Sequence, residues 1–172
     1  MGDCQNEDLR VGFDSRLKLK FLGSQVTTDA GLVAYRELDD KLGLTVLGAG
    51  SLQDSRLGRN KQHSLLPLLR QSIYSRLAGY EDVNDAERLC VDPAMRHVVG
   101  GRAALTGKHA ASASEVGRFE TETLSTKSNL TALMKLSGRW IDTVHQRTPL
   151  KQLILDMDSS VSETYGRQQC PL

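Results

Sequence analysis

The stretch LILDMDSS, residues 153–160, sets two carboxylates two positions apart directly behind an apolar run. If that run is a strand, its alternation puts Asp156 and Asp158 on one side and Met157 on the other. Open α/β sheets present their ligands at the C-terminal ends of strands. Carboxylates in that position suit a hard divalent cation: Mg²⁺ keeps an octahedral oxygen shell at about 2.0–2.1 Å and takes one or two carboxylates from a protein. A second ion about 3.5–4 Å away would stabilise both the attacking and the leaving oxygen of an in-line displacement. The chemistry expected here is metal-dependent phosphoryl transfer, with further carboxylates supplied from elsewhere in the fold. A plainer role fits the same letters, in which Asp158 and Ser159 begin a turn or cap a helix.

Most of the elements that must position this pair read as helices. Residues 1–15 are polar and aperiodic, a loose leader. RLKLKFLGS (16–24) alternates like a half-buried strand or an extended arm. A helix is expected over 27–42, capped by Thr28 or Asp29 and stopped by Gly43. The glycines at 43, 48, 50 and 58 match neither phosphate-loop spacing, GxxxxGK[ST] or GxGxxG, so this stretch reads as a loop. Residues 61–78 form the strongest core helix, with Leu65, Leu66, Leu69, Ile73 and Leu77 on one face and Ser64 as a cap. Asn84 or Asp85 starts one short helix, and Asp92 followed by Pro93 starts another that Gly100 and Gly101 stop. Residues 102–113 are a loop or weak helix, and Ser114 caps a turn carrying Arg118 and Phe119. Over 128–146 a stripe of Leu130, Leu133, Met134, Trp140, Ile141 and Val144 forms a helix capped by Ser128 or Asn129, with Trp140 in the core. Pro149 marks a boundary, and LKQLILDMD beyond it reads as a buried strand.

Charge is uneven along the 172 residues. The net charge of +1 hides a stretch, 56–118, with ten Lys or Arg against six Asp or Glu. Arg56, Arg59, Lys61, Arg70, Arg96, Arg102 and Lys108 are candidate phosphate contacts. The helices of 84–121 could form a helix-turn-helix-like unit that presents Arg118 to a DNA groove. Glu115, Glu120 and Glu122 weaken that field, and a solvated mixed-charge surface explains the same counts. His63, His97, His109 and His145 lack metal-ligand spacing and fit surface or capping roles. Cys4, Cys90 and Cys170 have no CxxC spacing, and no apolar run is long enough to cross a bilayer, so a reducing cytoplasm without membrane attachment is expected.

Three blocks in order, GYEDVNDAERLCVDPAMRHVVGG (79–101), ASASEVGRFETE (111–122) and ILDMDSSVSETYG (154–166), resemble the signatures of a branch of bacterial insertion-sequence DDE transposases. The resemblance covers residues 15–168. It implies a mainly α chain, a helix-rich DNA-binding region over 16–147 followed from 148 to 172 by the first strand of an incomplete RNase H-like α/β domain. It also implies that Asp158 is the first catalytic aspartate and a Mg²⁺ ligand, Asp156 a supporting carboxylate, and the terminal inverted repeats of a mobile element the DNA partner. A copy of itself or an intact transposase is a further partner it allows. Family members continue to a second Asp and a Glu, whereas this sequence stops at RQQCPL. The expectation is an N-terminal portion unable to cleave or join DNA alone. Two alternatives stay open: a haloacid-dehalogenase-like phosphatase, with Asp156 as nucleophile and Asp158 as general acid/base, and a non-enzymatic helical interaction module.

Overall fold

A computed structural model describes residues 9–14, 17–19, 29–56, 61–106, 108–147, 149, 152 and 154. Its elements are two short antiparallel strands, β1 (Leu9–Arg10) and β2 (Lys18–Leu19), and eight α-helices among the described residues. These are α1 (Leu32–Leu42), α2 (Leu44–Ser51), α3 (Leu65–Leu77), α4 (Ala86–Leu89), α5 (Pro93–Val99), α6 (Gly101–Thr106), α7 (Ala113–Arg118) and α8 (Lys127–Arg147). A 3₁₀ turn, Val83–Asp85, leads into α4, and a π-helical turn, Phe119–Leu124, continues α7. The mainly α reading is borne out.

The local signals explain where several helices begin and end. Asp92 accepts the Met95 N–H at 2.7 Å and Pro93 opens α5, the pairing of cap and pre-set φ that a helix start favours. Asp82 caps the 3₁₀ turn through the Asn84 N–H. Gly43 ends α1 at φ 76°, a left-handed conformation that costs glycine nothing. Asp29 does not cap α1, whose N-cap position is Gly31; its carboxylate instead accepts the Tyr80 hydroxyl.

Helix α3 is the hub. Tyr74 joins Leu32, Leu89, Met95, Val98 and Val99 in one core cluster, while Leu68 and Leu69 join Leu52, Val116 and Phe119 in the other. Ile73 touches both clusters. Burying each large apolar side chain contributes about 1.5–3 kcal/mol. The helix is therefore covered on more than the single face expected: Leu68 and Tyr74 are buried, and Leu77, placed on that face, is half-exposed.

Several expectations are corrected. The glycine-rich stretch after Gly43 is a helix, α2. At Gly48 an added Cβ would lie 3.0 Å from a methyl of Leu69 and 3.1 Å from one of Leu136. The glycine there is a contact point between α2, α3 and α8, not a breaker. Asp39 supports the start of α2 by accepting the Thr45 N–H and hydroxyl. Within the stretch read as a loose leader, Val11 is buried, the Gly12 N–H donates to Glu37, and Phe13 lies under the Arg36 guanidinium.

On α8, the stripe assigned to the core is split. Leu133 packs into the core and Trp140 donates its indole N–H to the Leu42 carbonyl, but Leu130, Met134 and Ile141 are exposed, Met134 at 83 %. Asn129, expected as a cap, is buried and bonds the Gln53 N–H and carbonyl and the Thr123 carbonyl, so a polar residue fixes the register of α8. Ser112, not Ser114, occupies the N-cap position of α7. Of the expected buried strand, Gln152 and Ile154 lie in neither helix nor strand and Ile154 is 81 % exposed; the other positions of 150–158 lie outside the described residues. A buried strand needs a ladder partner, and among the described residues only β1 and β2 pair.

Candidate nucleic-acid interface

A groove of about 620 Å³ opens where α4, α6 and α7 meet the segment leading into α3. His63, Glu87, Arg102, Lys108, His109 and Glu115 are among the residues that line it. His63 is the pivot. It is only 8 % exposed, with Nδ1 2.9 Å from Glu115 Oε2 and Nε2 3.2 Å from the His109 carbonyl. This is a bridging role between three segments rather than the surface or capping role expected from sequence.

The backbone of His63 also anchors the next cation. Arg56 donates through Nη1 to the His63 carbonyl at 3.1 Å and through Nε and Nη2 to the two oxygens of Asp54. Lys61 reaches the same carboxylate at 3.2 Å. The hydrogen bond from Arg56 holds the Asp54 carboxyl well below the usual carboxylate range, against the opposing effect of its partial burial. Arg56 and Lys61 are thus partly neutralised. Arg102 and Lys108 are exposed and form no ion pair among the described residues.

Arg102 and Lys108 therefore line the groove with His63, while Arg56 reaches the His63 carbonyl and Lys61 shares Asp54 with Arg56, two pairs of candidate contacts brought near one histidine from separate stretches of sequence. The others are dispersed. Arg118 is exposed on α7, its Nε donating to the Ser114 carbonyl at 3.2 Å, and does not pair with Glu122. Arg96 is half-buried on α5, and its Nε has no hydrogen-bond partner.

Arg70 is corrected outright: at 5 % exposure its guanidinium is inside the fold. It donates to Thr45 Oγ1 at 3.0 Å and lies 3.5 Å from Asp39 and 3.4 Å from Asp40, while Arg36 shares Asp40 and donates to the Val98 carbonyl. Burial, then the neighbouring Arg36, lowers the pKa of Arg70. Burial likewise raises that of Tyr74, whose hydroxyl donates to Asp39. The reason is geometric: α3 is enclosed on most of its surface, so a cation on it must find buried acids. Arg59, Asp156 and Asp158 lie outside the described residues.

Two of the signature blocks meet in space. Tyr80, Glu81, Asp82 and Glu120 line one small crevice beside α3, where Arg76 and Ser72 hold Glu120. Phe119 is buried in the core, and Arg88 stacks over Tyr80 with its carbon 4.9 Å from the ring centre. These contacts give Phe119, Glu120 and Tyr80 structural work.

Among the described residues no three His, Cys, Asp or Glu side chains are grouped to hold a metal ion, and no helix is long and apolar enough to cross a membrane. The groove offers only two acids among the described residues, Glu87 and Glu115, and Glu115 is committed to His63, so it lacks the grouped carboxylates that a Mg²⁺ pair needs. Neither the curated proteins nor the solved structures yielded a match to the chain. The family model described as transposase DDE domain, group 1, matches residues 9–172, a span that takes in the groove, the paired blocks and both aspartates of LILDMDSS. With that match over nearly the whole sequence, the chain belongs to the DDE-domain transposase family.

Proposed function

We infer that this chain acts in DNA transposition by holding DNA against the groove around His63 and by contributing Asp158, with Asp156 beside it, to the metal-dependent centre of a transposase. The convergence of Arg56, Lys61, Arg102 and Lys108 in a family whose business is DNA carries this reading. Arg102 and Lys108 are its principal phosphate contacts, because among the described residues neither is held in an ion pair. Arg56 and Lys61 form a second rank, since Asp54 must share them. Arg118, Arg96 and Arg59 are outlying candidates, and Arg70 is excluded by its burial.

Divalent metal, when bound by the family's carboxylates, supplies the charge stabilisation for strand cleavage and transfer. What the described residues contribute is binding and orientation: cations that fix the register of a sugar-phosphate backbone. The division at Pro149, between a DNA-holding helical region and the segment bearing Asp158, belongs to this proposal, as do the terminal inverted repeats as target and a second transposase copy as partner.

Fluorescence anisotropy with element-end duplex and scrambled duplex, at about 50 and 200 mM salt, tests it. Each phosphate contact adds about 0.9 to the slope of log K against log salt. Replacing both Arg102 and Lys108 with Ala should lower that slope by roughly 1.8. An unchanged slope in a folded double variant would place the DNA elsewhere.

A further inference from the structure

The groove holds more than cations, and its acids are arranged in an unequal way. Glu115 spends Oε2 on His63, and Glu87 accepts the Ala113 N–H through Oε1 at 3.1 Å, at the start of α7. That bond draws the exposed Glu87 carboxylate toward the start of α7. Its second oxygen has no hydrogen bond among the described residues, and neither do the side chains of Gln62, Arg102, Lys108 and His109. The volume, about 620 Å³, falls in the range of about 300–1,000 Å³ typical of small-ligand sites.

A site with free cations, one anchored acceptor and imidazole is mismatched to a simple anion, which the carboxylates would repel. It is matched to a nucleotide, whose phosphate takes cations and whose base can offer an exocyclic amino group. Carboxylates read such amino groups as acceptors, most clearly the N4 amino group of cytosine. Unpaired bases can enter a concave pocket in a way that a stacked duplex base cannot.

We propose that the groove takes an unpaired nucleotide of the bound DNA, with Arg102 and Lys108 on its phosphates and the free oxygen of Glu87 accepting a hydrogen bond from the amino group of cytosine or adenine. Glu87 is then a specificity-determining residue. The proposal rests on the DNA-binding reading above and deepens it.

Substitution Glu87→Gln separates this role from helix capping. The amide oxygen still accepts the Ala113 N–H, so the start of α7 keeps its partner, while the free oxygen becomes an N–H₂ donor. The probes are single-stranded decamers of deoxycytidine, deoxyadenosine and deoxythymidine, titrated into the full chain alongside a thermal melt. The native chain should bind the cytosine and adenine decamers about tenfold more tightly than thymine. In the Glu87→Gln chain, with its melt unchanged, the preference should vanish or turn toward thymine, whose O4 accepts. Equal binding of all three decamers by the native chain, or a preference that survives in Glu87→Gln, overturns the assignment while leaving DNA binding standing. Failure of the native chain to bind any decamer or duplex overturns the DNA-binding reading itself.

Discussion

Arg76 grips Glu120 with two hydrogen bonds, Nη1 to Oε1 at 2.8 Å and Nη2 to Oε2 at 3.0 Å, and so ties the last turn of α3 to the π-helical turn. Ser72 adds a third bond to the same carboxylate at 2.6 Å. The Arg76 hydrogen bonds lower the Glu120 pKa from its ordinary value near 4.5. A depressed folded pKa stabilises the fold above the unfolded value and loses that stabilisation as pH falls through the folded one. Because half of Arg76 is exposed, the contribution is that of a screened pair, about 0.2–1 kcal/mol. Chemical denaturation should find Glu120→Gln less stable than the parent at pH 7, with the difference shrinking below about pH 4.

The two helical glycines of α2 should respond unequally to the same change. Gly50 has open space around an added Cβ, so Gly50→Ala should stabilise by about 0.5–1 kcal/mol through lost backbone freedom in the unfolded chain. At Gly48 the same gain is opposed by the Leu69 and Leu136 methyls. Gly48→Ala should show little or no rise in Tm, and Gly48→Val a loss of about 1–3 kcal/mol from overpacking.

Arg70 and Arg102 are one residue type in two environments. Arg70→Ala leaves the buried Asp39 carboxylate with only the neutral donors of Thr45 and Tyr74 and leaves Asp40 to Arg36 alone, and should cost about 3–5 kcal/mol, read as a large drop in Tm. Arg102→Ala should leave the melt within about 0.5 kcal/mol of the parent. It should instead lower the salt slope of DNA binding by about 0.9.

Removing the Asp92 cap tests whether local signals or packing hold α5. Asp92→Ala should cost about 1 kcal/mol, since the Met95 N–H loses its acceptor at a helix whose far side is fully buried. A Tm unchanged by the substitution would mean that core packing alone fixes this helix.

Short-range chemistry made parts of this protein legible from its letters. The Asp92–Pro93 start, the Gly43 stop, the helices over 65–77 and 127–147 and the mainly α class follow from caps, glycines and apolar spacing, which act within one turn of the chain. The ordered blocks likewise pointed to the transposase family, because their residue order is itself the signal. Tertiary packing decided the rest. Gly48 reads as a breaker until Leu69 and Leu136 press against it, and Arg70 reads as a surface cation until α3 is enclosed with Asp39 and Asp40. The groove is the clearest case: His63, Glu87, Arg102 and Glu115 carry no shared spacing, and only the folding of α4, α6 and α7 against the segment before α3 brings them together. Helical and capping forces are local, whereas burial and charge pairing depend on which segments meet, and a linear sequence does not display that.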